Sequence, residues 1–140
     1  MDKFAELAED IGKLLVNYWP LYLSGIEKTI ILALVATAIG CVIGLVCGIL
    51  NTIPCRPQDK LWKRCLVRLI RGIVRVYVEV FRGTPMILQA VFIFYGLSYF
   101  TDGKIAFKGL EGIWQASIIV VSINTGAYMA ESVRGGIISI

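Results

Sequence analysis

The chain is 140 residues long and 57% hydrophobic, with 14 Lys and Arg against 10 Asp and Glu, a net charge of +4. Soluble domains are roughly 45–50% apolar; here the excess sits in long blocks, three of them near the roughly 20 residues that cross a hydrocarbon core of about 30 Å. This excludes a soluble globular domain and leaves one all-α membrane domain, with no length for a second, soluble one.

The N-terminal segment, residues 1–22, places Phe4, Leu7, Ile11, Leu14 and Tyr18 at spacings of three and four, with Asp2, Glu6, Glu9, Asp10 and Lys13 mostly between them. That pattern predicts an amphipathic helix. Trp19 and Tyr22 follow, residues that favour the headgroup level, so the helix is expected to lie in the interface. Four acids and no clear apolar core in the first 17 residues argue against a cleavable signal peptide.

Span one is expected over 29–50, a stretch without charge, between Glu27-Lys28 and Asn51, Pro54 and Arg56. Ala36, Gly40, Gly44 and Gly48 recur there every four residues and make one slowly drifting stripe on a helix. Lipid gives apolar helices little reason to associate, so small residues act by letting backbones approach; the stripe predicts a tight helix–helix contact.

Residues 51–83 form a basic loop and helix with eight Lys or Arg and two acids, against three cations and five acids in residues 1–28 and two of each in 101–112. Cytoplasmic loops collect Lys and Arg, which puts this segment inside and the N-terminus outside. Arg68, Arg71, Arg75, Glu79 and Arg82 fall three or four apart and predict a helix, with Glu79 able to pair with Arg75 or Arg82. Topology and anionic lipid account for the positive charge, and nucleic acid is not an expected partner.

Span two is expected over 84–100. Gly83 frees the backbone, Thr84 is a candidate N-cap and Pro85 suits a first helical position, so Glu79, Arg82, Gly83, Thr84 and Pro85 together form a structural break and anchor. The outer loop 101–112 is short. Span three, 113–129, is the least apolar, with Ser117, Ser122, Asn124 and Thr125 inside it. Asn124 at depth needs a partner, either another helix or a transport path. Gln89, Asn124 and Glu131 are the candidate path residues; for Glu131 the plainer alternative is an i,i+3 pair with Arg134. Residues 130–140 begin a cytoplasmic segment.

Two stretches carry a resemblance. Val78-Glu79-Val80-Phe81-Arg82-Gly83-Thr84-Pro85 and Asn124-Thr125-Gly126-Ala127-Tyr128-Met129-Ala130-Glu131-Ser132-Val133-Arg134-Gly135-Gly136-Ile137 resemble two signatures of the permease subunits of ATP-binding-cassette importers for polar amino acids. Those are the histidine, glutamine, arginine and cystine systems. The resemblance implies a normally five-span permease domain, of which this chain carries the interfacial helix and three transmembrane helices. It further implies an ABC ATPase subunit, a second permease subunit, identical or not, an extracytoplasmic amino-acid-binding protein, and residence in a bacterial cell membrane. The family's Glu-Ala-Ala loop would begin where Ile140 stands, so the chain is expected to be a fragment or truncated product unable to couple to an ATPase.

A competing expectation is a small, self-associating three-span protein, holin-like or accessory, assembled through the glycine stripe. An enzyme is not expected. There is no histidine, the four cysteines Cys41, Cys47, Cys55 and Cys65 have no metal-ligand spacing, and no phosphate-binding loop occurs. Neither a cofactor nor a metal is expected, and the cysteines read as reduced, small hydrophobes.

Overall fold

The computed structural model describes residues 2–54 and 60–139, and every regular element among them is helical. Cys55 and Arg56, and the side chains of Asp2 and Glu6, which belong to patterns noted above, lie outside the described residues. In order come α1 (Asp2–Thr52), α2 (Leu61–Gly83), α3 (Met86–Val91), a π-helical turn (Phe92–Gly96), α4 (Leu97–Phe100) and α5 (Gly109–Ile138). The chain divides into one unit up to Ala33 and another from Leu34 onward.

In the first unit the helix continues through Pro20. Proline removes one backbone donor, but the flanking residues keep helical geometry and Gly25 stays outside the left-handed region. Phe4, Leu7, Ile11 and Leu14 are exposed along this unit, and Glu9 pairs with Lys13 at 2.9 Å.

The second unit is held by close backbone approach. Ala36 is fully buried. A Cβ placed on Gly40 would lie 2.7 Å from Thr125 Cβ, and one on Gly48 would lie 2.6 Å from Val133 Cγ1; one on Gly44 would overlap Met129 Cβ. Glycine is therefore required at these three positions by sterics. The pairings Gly40–Thr125, Gly44–Met129 and Gly48–Val133 climb together, so this part of α1 and α5 run in the same direction. Against this pair α2 lays Val74 and Val78 on Ala130, with Cys47, Leu50, Ile70 and Tyr77 around them. The Arg71 guanidinium donates to the Ile53 carbonyl just past the end of α1, where a cation suits the helix dipole.

Between Gly83 and Met86 the axis turns by 110°. Beyond the turn, α3, the π-helical turn and α4 carry aromatic contacts: Phe92 meets Phe100 at 6.0 Å and Phe94 stacks on Phe107 at 6.2 Å. α4 closes with Asp102 at φ 50° and Gly103 at φ 75°. Gly103 N–H donates to Ser98 O at 2.9 Å and Asp102 N–H to Tyr99 O at 3.4 Å, the paired bonds that end a helix on a left-handed residue. By length and composition, Leu7–Thr52 and Gly109–Ile138 each suffice to cross a membrane, as does the bent pair Leu61–Gly83 and Met86–Phe100 if it is one span.

Candidate functional site

The site begins with what Pro85 does to the chain. A residue before proline is pushed out of the helical region, and Thr84 is extended at φ −108°, ψ 142°. Pro85 also lacks the N–H that would have bonded Phe81 O four residues back. Two side-chain amides replace it. Gln89 Nε2 donates to Phe81 O at 2.9 Å, and Asn124 Nδ2 reaches the same carbonyl at 3.3 Å. Gln89 Nε2 also meets Thr84 O at 3.0 Å and Thr84 Oγ1 at 2.9 Å, and its own Oε1 accepts from Asn124 at 3.3 Å. Gln89 is only 7% exposed, where an unmatched amide or carbonyl would be costly.

This differs from the local geometry expected at the break. Thr84 ends α2 instead of capping the next helix: its N–H and hydroxyl both donate to Val80 O, at 3.1 and 2.8 Å. Pro85 precedes α3 as its N-cap with no side-chain cap bond. Gly83 lies outside the left-handed region and a Cβ there would meet nothing within 4 Å. The turn thus comes from proline's effect on its neighbour and does not use glycine's freedom.

Of the three polar residues proposed for a path, the structure brings Gln89 and Asn124 into contact and sets Glu131 apart. Glu131 is bound by Arg134 through two bonds of 2.5 and 3.2 Å. It lines a cleft of about 510 Å³ together with Asn51, Arg75, Glu79, Arg82 and Tyr128. The Arg82 guanidinium lies over the Tyr128 ring, 5.4 Å from its centre, within range of a cation–π attraction. No ion pair joins Glu79 to Arg75 or Arg82 among the described residues.

A second cavity, about 610 Å³, lies in the angle of the bend and is almost wholly apolar, with Phe81, Leu88, Phe92, Leu97, Ile119 and Ile123 on its walls. Sequence spacing missed Tyr77, whose hydroxyl donates to Ile123 O at 2.6 Å. It also missed Gly126, where a Cβ would lie 2.8 Å from that hydroxyl. Spacing of four from Phe81 was the available signal for Tyr77. For Gly126, whose neighbours come from α1 and α2, local sequence gives none.

Helices long and apolar enough to span, joined by short or bent connections, define an all-α, multi-pass membrane protein. No family model matches the chain. Over 125 residues it is 33% identical to the putative glutamine transport system permease protein of Rickettsia typhi, which covers 89% of this chain and 50% of that relative. It is 32% identical over 122 residues to the glutamine transport system permease protein of Escherichia coli K12, covering 86% of this chain and 48% of the relative. With the arginine transport system permease protein of Bacillus subtilis it shares 30% identity over 118 residues, 84% of this chain and 46% of the relative. A crystal structure of an amino acid ABC transporter with histidines superposes with a TM-score of 0.69 at 28% identity, over 90% of this chain and 50% of that one. The chain spans about half the length of the curated relatives it matches. In sequence and in fold it groups with the permease subunits of amino-acid ABC transport systems.

Proposed function

We propose that this chain serves as a transmembrane permease subunit of an ATP-binding-cassette importer for polar amino acids, forming part of one half of the translocation path. The observation that carries this is identity of 30–33% with three amino-acid permeases across 84–89% of the chain. Its partners are an ABC ATPase subunit, which hydrolyses the ATP, a second permease subunit and an extracytoplasmic amino-acid-binding protein. The excess of Lys and Arg in residues 51–83 supports a cytoplasmic position for that segment and an outside N-terminus. The parallel register of α1 and α5 supports three crossings, because two spans running in the same direction need an odd number between them. The rival, self-associating protein loses its main support: the glycines meant to join copies are occupied by the chain's own α5.

The test is uptake of labelled L-glutamine, L-arginine and L-cystine by the source cell with and without its gene, complemented by the chain together with whatever coding sequence adjoins it. Loss of uptake of at least one, restored by complementation, is the expected result. Unchanged uptake of all polar amino acids sinks the assignment.

A further inference from the structure

α2 has a second apolar face that the helix bundle does not use. Val74 and Val78, with Ile70 and Tyr77, pack on α1 and α5. Trp62, Leu66, Leu69, Ile73, Val76 and Val80 follow one another at steps of four, three, four, three and four. At 3.6 residues per turn those steps draw one line along the helix, roughly 100° around from the packed face. All six are exposed, Trp62 at 83%. Beside the line, Gly72 opens a notch of about 580 Å³ with Arg68, Leu69, Ile73 and Val76 on its walls; a Cβ at Gly72 would meet nothing within 4 Å.

Charge decides what can cover this face. Lys60, Lys63, Arg64 and Arg68 stand within nine residues, and Glu79 is the first acid of α2. Lys63 and Arg68 flank the apolar line on its two sides, roughly 100° and 120° from its middle. From there long side chains reach up from an apolar surface to the level of phosphates. Cations in the opening turns run against the helix dipole, and no side chain caps that end of α2, so the stability of the helix does not account for them. A second copy seated on this face would bring the cationic flanks together, and like charges across an interface oppose association. Anionic phospholipid offers the complement of both features, acyl chains for the apolar line and phosphates for its flanks. Trp62, at the start of the line, suits the headgroup level.

We propose that the outer face of α2 is a docking surface for the anionic phospholipids of the inner leaflet. Acyl chains lie along Leu66, Leu69, Ile73 and Val76 and in the notch at Gly72, and phosphates sit on Arg68 and Lys63. The leaflet holds α2 from outside while α1 and α5 hold it from within, so the chain enters the bend at Thr84-Pro85 from a helix fixed on two sides. The choice of leaflet follows from the charge bias of residues 51–83 and does not depend on what the protein transports.

The chain, with whatever coding sequence adjoins it, is freed of its cysteines by substitution. It then receives a single nitroxide at Leu66→Cys, Leu69→Cys, Ile73→Cys or Val76→Cys, or at Arg75→Cys, which lines the charged cleft, as the water-facing reference. Reconstitution is in nanodiscs of dioleoylphosphatidylcholine, alone or mixed in equal parts with dioleoylphosphatidylglycerol. Power-saturation electron paramagnetic resonance compares access of oxygen, which concentrates in hydrocarbon, with access of a water-soluble nickel chelate. In the mixed discs the oxygen-to-nickel ratio is expected to be at least threefold higher at the four apolar positions than at the reference. The unlabelled chain should melt at a higher temperature in the mixed discs than in phosphatidylcholine. Arg68→Gln should lose at least half of that gain while melting unchanged in phosphatidylcholine, which separates a lost lipid contact from a damaged fold. Lys104→Gln, in the outer loop, should keep the gain.

Exclusion of both oxygen and nickel from the apolar positions would mean that protein covers them, and overturns the proposal. Nickel access equal to that at the reference would put the face in water and overturns it too. Melting temperatures that do not differ between the two lipid mixtures, or a gain that survives Arg68→Gln in full, remove the anionic preference and with it the proposal. None of these outcomes alters the uptake by which the permease assignment is judged.

Discussion

Pro85 removes one donor from the backbone, and the replacements come from two helices, Gln89 one turn on in α3 and Asn124 far along the chain in α5. Gln89→Leu keeps roughly the side-chain size and leaves Phe81 O and Thr84 O short of a donor. The expected cost is about 1–3 kcal/mol, measured by denaturation in detergent. Because Asn124 shares the Phe81 carbonyl and bonds Gln89 itself, the cost of Asn124→Leu in the Gln89→Leu background should differ from its cost in the parent. A coupling of about 0.5 kcal/mol or more is expected, and strict additivity would mean the two amides act independently. Gly83→Ala is the counter-case. With open space and no left-handed backbone at Gly83, it should be neutral or stabilise by up to about 1 kcal/mol through the unfolded chain; a loss comparable to that of Gln89→Leu would show that the turn does rely on glycine. Pro85 is legible in the sequence as a break, and Asn124 as an amide at depth in a span and in need of a partner. That they answer one another is not, because 39 positions separate them and only the fold brings them together.

At the level of helices, the glycine stripe is readable from spacing alone, since small residues every four positions have few other uses in a span. Its partner is not readable: Thr125, Met129 and Val133 on α5 are chemically unremarkable, and only the backbone path sets them opposite Gly40, Gly44 and Gly48. Boundaries are equally hard to read. Local composition separates an interfacial segment from a span around Lys28, yet α1 is assigned as helix from Asp2 to Thr52, because neither Pro20 nor Gly25 departs from helical geometry. The 110° turn follows in kind from Thr84-Pro85 but not in size, which the packing of α3 on α5 decides. Gly44→Leu tests the stripe. The helices must separate or Met129 must leave its place, at about 1–3 kcal/mol for overpacking, seen as a lower melting temperature in detergent. Gly25→Ala, where a Cβ would meet nothing within 4 Å, should leave the melting temperature unchanged or raise it. Equal effects from both would remove the stripe from the packing account.

For the whole molecule, the decisive geometry is direction. If α5 and the part of α1 beside it both cross the bilayer, their parallel register obliges the chain between Asn51 and Gly109 to return once to its starting face. The bent pair Leu61–Gly83 and Met86–Phe100 is the connection available for that return. A re-entrant loop in its place would bring α5 back from the same face on which α1 ended, and the two helices would then be antiparallel. Single cysteines in an otherwise cysteine-free chain distinguish these. With Cys65, which is exposed, kept as the only thiol, an impermeant maleimide should label inverted vesicles and spare intact cells. Moved to Gly103, at the turn after α4, the thiol should label intact cells. At Ser139, past the end of α5, it should again label only inverted vesicles. Labelling of positions 65 and 103 from one side would make the bent pair re-entrant, and the parallel contact of Gly40, Gly44 and Gly48 with α5 could not then exist inside a membrane. Labelling with all three sides exchanged would keep the three crossings and reverse the orientation, against the eight cations of residues 51–83.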